Sequence, residues 1–165
     1  MLTAKGVPGK RETPGAIIKR YQHQAPVDVI GIANDLGITV WEDDIQPHSG
    51  RLFLDPVNGG ASGFSIVVNE REPLVRKRFT IAHEIAHFIL HRAEIPGEGI
   101  FETLYRGAVA DAKETEANKL AAEILMPLPL IESLMKEGIQ SLDDLAAALE
   151  VSNAAIAIRL GTYAA

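Results

Sequence analysis

Residues 73–91 read PLVRKRFTIAHEIAHFILH, and no further proline or glycine interrupts the chain until Pro96. Proline is tolerated in the first turn of a helix and breaks its interior, so this stretch predicts one helix opening at Pro73 and running to about His91. At about 100° per residue, Thr80, His83, Glu84, His87 and His91 fall within an arc of roughly 100°. Phe79, Ile81, Ala82, Ile85, Ala86, Phe88, Ile89 and Leu90 make the rest of the helix strongly apolar. A helix this apolar belongs in a core, where polar groups are costly unless they find partners.

Working outward, the first dozen residues mix Gly, Pro and charge without periodicity, and residues 1–13 are expected to form a loose tail. Helices are predicted over Pro14 to Gln24 and over Pro26 to Gly37, the second with proline at its start and glycine at its stop. Three short strands follow, Ile38 to Glu42, Arg51 to Leu54 and Ser65 to Asn69, separated by Gly, Pro, Asp and Asn. Beyond the central helix, Pro96 to Gly107 reads as a loop with a short helical piece at Phe101 to Arg106. Helices are then predicted over Ala112 to Met126, Leu130 to Lys136, Ser141 to Glu150 and Ser152 to Tyr163. The fold class expected is α+β, a small and mainly antiparallel sheet packed on a helical core. Residues 14–138 form the main domain, and 139–165 a C-terminal helical segment.

The chain has 165 residues, 47% hydrophobic and 23% charged, an ordinary globular composition. It contains no cysteine, so any metal must be held by His, Asp or Glu, and a reducing compartment is expected. The amino terminus has positive charge but no apolar run behind it, no stretch is long and apolar enough to cross a bilayer, and the expected location is cytoplasmic. A net charge of -6 counts against sequence-independent nucleic-acid binding. The basic cluster Arg76-Lys77-Arg78 reads as a solvated first turn.

His83 and His87, one helical turn apart, can point ring nitrogens at a single Zn²⁺, with Glu84 beside them. Neutral imidazoles leave part of the ion's charge uncompensated, so bound water ionises near pH ~7. Glu84 then serves as general base on zinc-bound water attacking a peptide carbonyl. Catalytic zinc takes three protein ligands, and the best source of the third is Glu114-Thr115-Glu116-Ala117-Asn118 on the next strong helix. Taken alone, those carboxylates would read as a charged helix start suited to the macrodipole. His91 shares the arc, but a histidine at a helix C-terminus is favoured by the macrodipole, and that reading is preferred to a ligand role. His23 and His48 show no spacing signal and are expected at the surface.

The run from Arg78 to His91, followed by Glu114-Thr115-Glu116-Ala117-Asn118-Lys119-Leu120-Ala121-Ala122-Glu123-Ile124-Leu125-Met126-Pro127, resembles the ImmA/IrrE family of bacterial metallopeptidases, over about Pro26 to Pro127. The resemblance implies a zincin-type helical core with a gluzincin-like site, in which His83, His87 and Glu114 are ligands, Glu84 is the catalytic base and Asn118 supports the ligands. It also implies a protein substrate, since members of that family cut helix-turn-helix repressors and relatives occur in toxin-antitoxin-like pairs. The sensor domain that some relatives carry is not expected here. The helical wheel agrees on the third ligand: Glu114 and Glu116 differ by about 200°, and Glu114 shares a face with Asn118, Ala121 and Leu125, whereas Glu116 lies with Lys119 and Glu123. Glu114 is therefore expected on the buried face and Glu116 on the solvated one.

In a zinc peptidase, an edge strand near the metal helix can accept an extended peptide. Ser65 to Asn69 is a candidate for that strand, and equally for an ordinary core strand. Leu142, Leu145, Ala146, Leu149, Val151, Ile156 and Leu160 give the C-terminal segment a helix-turn-helix-like pattern. Its second helix offers Ser152, Asn153 and Arg159 amid Ala and Ile, and Gln140 to Ala165 carries a net charge of -2. Packing or partner binding is favoured there over direct nucleic-acid binding. Two other readings stand beside the peptidase: a DNA-binding regulator working through these helices, and a non-hydrolytic zinc protein that occludes a partner.

Overall fold

The computed structural model describes residues 11–95 and 108–161. Helix α1 (Pro14–Tyr21) opens on Thr13, whose Oγ1 accepts from the Ala16 amide at 3.2 Å, with Pro14 in the first turn. It ends before the predicted Gln24. There the Gln22 side chain donates to the carbonyls of Glu123 and Ile124, at 2.9 and 3.2 Å, and ties the end of α1 to a distant helix. Helix α2 (Val29–Asp35) starts where the Asp28 carboxylate accepts from the Gly31 amide, three residues after the predicted Pro26. Gly37 follows at φ +77°, and a Cβ there would lie 2.8 Å from the Ser62 backbone nitrogen, so this position needs glycine twice over.

The sheet comprises β1 (Ile38–Asp43), β2 (Gly50–Leu54) and β3 (Phe64–Asn69) in the order β1-β3-β2. The α+β class holds, while the predicted antiparallel character applies to one of the two pairings. β2 pairs antiparallel with β3, and β1 pairs parallel with it. The difference is one of order: β3 inserts between the two earlier strands, so it runs with β1 after reversing from β2. This placement also decides between the two readings of Ser65 to Asn69. That segment is the central strand, paired on both sides, and cannot accept a further strand. Among the described residues the one-sided strands are β1 and β2.

Helix α3 (Leu74–His91) lies across the sheet as expected. Ile81 and Ile85 share a core with Leu52, Ile66 and Val68, and Phe88 meets Phe64 edge to face at 5.3 Å. Each such large side chain contributes about 1.5–3 kcal/mol on burial. Gly50 lets helix and strand close up, since a Cβ there would come 2.4 Å from Thr80 Cγ2.

Helix α4 (Ala108–Leu125) begins earlier than the predicted Ala112, while the short helical piece expected at Phe101 to Arg106 lies outside the described residues. Helices α5 (Leu128–Lys136), α6 (Leu142–Leu149) and α7 (Asn153–Arg159) follow. Ser141 and Ser152 cap the last two, accepting from the amides of Asp144 and Ala155. Leu145, Leu149, Val151 and Ile156 join the same hydrophobic cluster as Val27 and Ile85.

Arg78 fastens this C-terminal pair to α3. Its Nη2 donates to the Val27 carbonyl at 2.8 Å and its Nε to the Glu150 carbonyl at 3.3 Å. The expected solvated basic turn is thus corrected at this position: Arg78 is only 8% exposed, and burial pulls its pKa down against the charges of Glu150 and Asp28. Lys77 pairs with Glu42 of β1 at 2.9 Å. No described helix is long and apolar enough to cross a membrane.

Candidate metal centre

One turn of α3 separates His83 from His87, so the two rings project from the same face toward α4. The helices can approach closely because the residues between them are small: Ala82 and Ala86 on α3, Ala117 and Ala121 on α4, all fully buried. That closeness brings Glu114 of α4 onto both rings. Its Oε1 lies 2.9 Å from His87 Nε2 and its Oε2 3.1 Å from His83 Nε2. The two Nε2 atoms are themselves 3.0 Å apart, with the rings nearly perpendicular. His83, His87 and Glu114 form a group whose donor atoms lie within 4.8 Å of one another.

The far side of each ring is held as well. His83 Nδ1 donates to Asn118 Oδ1 at 2.9 Å, and His87 Nδ1 lies 3.0 Å from His91 Nδ1. His91 Nε2 in turn donates to Glu116 Oε2 at 3.0 Å. Glu84 is buried next to His83, and its charge acts on that ring.

Electrostatics follow from this crowding. Glu114 is held well below the usual carboxylate range by its hydrogen bonds to His83 and then His87, with burial opposing. Burial pushes the His83 ring down, but Glu114, Glu84 and Asn118 more than offset this and raise it overall. His87 is lowered, first by burial and then by the neighbouring rings, against the pull of Glu114. The opposite directions have one cause: a carboxylate facing two imidazoles 3.0 Å apart can stabilise one positive charge there, not two.

The donor set fits a metal ion. Two Nε2 atoms and a carboxylate converge on one point, where a shared proton holds them together and a divalent cation could take its place, and each imidazole has its other nitrogen engaged as metal-ligating histidines do. Imidazole and carboxylate with no thiolate suit a borderline divalent ion.

The structure brings together His83, His87 and Glu114, with Glu84 alongside. It departs from the sequence reading in three respects. Glu114 is half exposed, 49% by its side chain, so among the described residues no apolar face encloses the cluster on the α4 side. Glu116, though 62% exposed, is no idle surface charge, because it reaches His91. His91 lies 4% exposed between His87 and Glu116, a role that neither the macrodipole nor a ligand position describes. The signal available was its spacing, four residues beyond His87 on the same face. His23 and His48 are both exposed.

Comparison with known proteins supplies the context. No curated protein matches the chain. A solved structure described as a Mycobacterium tuberculosis transcriptional regulator is similar in fold, with a TM-score of 0.59 and 18% sequence identity over 89% of this chain. The match takes in 46% of that structure, so this chain spans about half its length. The family model for peptidase M78, the IrrE N-terminal-like domain, matches residues 33–161, a span holding every described strand and helices α3 to α7. With the His-His-Glu cluster compatible with a metal ion inside that span, the chain belongs to the peptidase M78, IrrE N-terminal-like family.

Proposed function

We propose that this chain is a cytoplasmic zinc endopeptidase that cuts a specific regulatory protein, a helix-turn-helix repressor or an antitoxin-like partner. The observation supporting it is the convergence of His83 Nε2, His87 Nε2 and the Glu114 carboxylate, with Glu84 buried beside them. His83, His87 and Glu114 would hold the zinc. When bound, the ion supplies a Lewis acid for the scissile carbonyl and eases the ionisation of water. Glu84 takes the proton of the attacking water and passes it to the leaving amine. Asn118 keeps the His83 ring turned so that Nε2 faces the cluster.

The substrate segment binds as an extended strand along β2, the one-sided strand drawn against α3 at Gly50 and Thr80. Residues 139–161 act as a buttress for α3. Arg78 ties them to it, and the Arg159 Nε donates to the Met126 carbonyl at 2.9 Å, which takes that cation away from a phosphate-facing role.

Metal analysis of the purified chain should give about one zinc per molecule. Incubation with helix-turn-helix proteins encoded beside its gene, followed by intact-mass measurement, should reveal a cut at one or a few bonds. Zinc-loaded protein that binds such a partner without product would favour the occluding reading, and ready digestion of casein would refute specificity for a regulator.

A further inference from the structure

The contacts behind His87 form a chain through which one arrangement of protons runs consistently. If His87 presents the Nε2 lone pair to the cluster, its proton is on Nδ1 and, at 3.0 Å, donates to His91 Nδ1 acting as acceptor. His91 then carries its own proton on Nε2, which donates to the Glu116 carboxylate at 3.0 Å. Each link requires the next. His91 is not a ligand in this geometry, because it meets His87 at Nδ1, on the opposite side of the ring from the Nε2 that faces Glu114. Nor is it a solvated helix end, since α4 covers it.

The two ligand histidines are therefore supported differently. His83 leans on the neutral Asn118 amide, and His87 on an imidazole backed by a carboxylate. A donor chain ending in negative charge fixes the ring's orientation and keeps its Nε2 lone pair aimed at the cluster. We propose that His91 and Glu116 are positioning residues that act through His87, fixing its tautomer and strengthening it as a metal ligand. This rests on the reading of the cluster as a metal centre.

The test measures zinc affinity by competition with a chelator for the full-length chain and for His91→Phe, His91→Asn, Glu116→Ala and, as a control for charge on α4, Glu123→Gln. Loss of outer support of this kind costs about 10–100-fold in metal affinity. His91→Phe should fall in that range and Glu116→Ala at about its lower end, while Glu123→Gln matches wild type. His91→Asn, whose Oδ1 can accept from His87 Nδ1, should recover part of the loss. Long-range ¹H–¹⁵N spectra of the zinc-loaded protein provide a readout that packing alone would not move: His91 should be the Nε2–H tautomer and His87 the Nδ1–H tautomer. A wild-type chain that binds no zinc overturns the metal-centre reading and the relay with it. Normal zinc binding by wild type, His91→Phe and Glu116→Ala alike, or a His91 proton on Nδ1, overturns the relay and leaves the metal centre standing.

Discussion

The two ends of α3 both bury polar side chains, and they do so in opposite ways. At the N-terminal end the Arg78 guanidinium meets the backbone carbonyls of Val27 and Glu150 and the Glu150 carboxylate, groups that other elements of the fold hold in place. At the other end His87, only 2% exposed, turns Nε2 toward a second imidazole and a carboxylate that is half open to water. In the first case donors and acceptors match and the arrangement is complete without any ligand. In the second, two imidazole nitrogens and a carboxylate crowd one point and share a proton unless a metal ion takes its place. Buried polarity with a matched partner set describes a fastener, and buried polarity with a surplus of acceptors describes a site for a cation.

If that distinction is right, the largest effects of substitution at the open end fall on chemistry and metal, with little on fold. Glu84→Gln should lower the rate of partner cleavage by about 10²–10⁴-fold, the usual contribution of a general base, with zinc content and thermal unfolding unchanged. Cleavage at the wild-type rate would remove Glu84 from the mechanism. Next in size is the comparison of Glu114→Gln with Glu116→Gln. Loss of a direct ligand should weaken zinc binding by more than about 100-fold, and loss of a carboxylate one histidine away by about 10-fold or less. Equilibrium dialysis ranks the two, and the reverse order would exchange their assignments.

The matched end predicts the opposite. Arg78→Met should destabilise the metal-free protein by about 2–3 kcal/mol, since charge-assisted hydrogen bonds are lost and buried carbonyls are left without a donor. Zinc affinity of the folded fraction should stay at the wild-type value. Urea unfolding with parallel zinc titration separates the two quantities, and an undiminished midpoint would show that the α6–α7 pair does not depend on this fastener.

Arg78 also marks the limit of what the sequence made legible. The central helix, its two imidazoles and the face shared by Glu114 and Asn118 follow from helical periodicity, which needs only local geometry. The three strands were legible too, within one or two residues of each end, from their β-rich runs and turn residues. Strand order was not, because a local pattern does not say that β3 inserts between β1 and β2. The same applies to Arg76-Lys77-Arg78. Three consecutive cations look alike in sequence, and only the carbonyls brought by α6 and by the residues before α2 draw the third inward. His91 and Glu116 were each visible, but the contact between them depends on how α3 and α4 cross. Half-exposure of Glu114 is a tertiary property as well, since the wheel places it toward the partner helix without saying where that helix's cover ends.

The smallest expected effect is a pH dependence that isolates the Glu114–histidine contact in the metal-free protein. Glu114 has its folded pKa depressed below the ordinary 4.5, so it adds stability above that value, which is lost as pH falls through the depressed one. His83 has its folded pKa raised above 6.5, so its contribution is complete below 6.5 and is lost as pH rises through the raised value. His87 moves the other way: its pKa is lowered, chiefly by burial, so it costs stability as pH falls below 6.5, and wild type alone would show a blurred profile. Subtracting Glu114→Gln removes that ambiguity, because the carboxylate favours the protonated form of both rings. Wild type should therefore exceed Glu114→Gln in stability by more at about pH 6 than at about pH 8, and the half-exposed carboxylate keeps the difference below about 1 kcal/mol. Zinc affinity should run against this trend, since ligation needs neutral imidazoles and weakens on acidification. Urea unfolding of metal-free wild type and Glu114→Gln at the two pH values measures the difference. A gap that widens as pH rises would mean that Glu114 meets the histidines through something other than charge, and the reading of this end of α3 as a gathering of acceptors around a cation would fail with it.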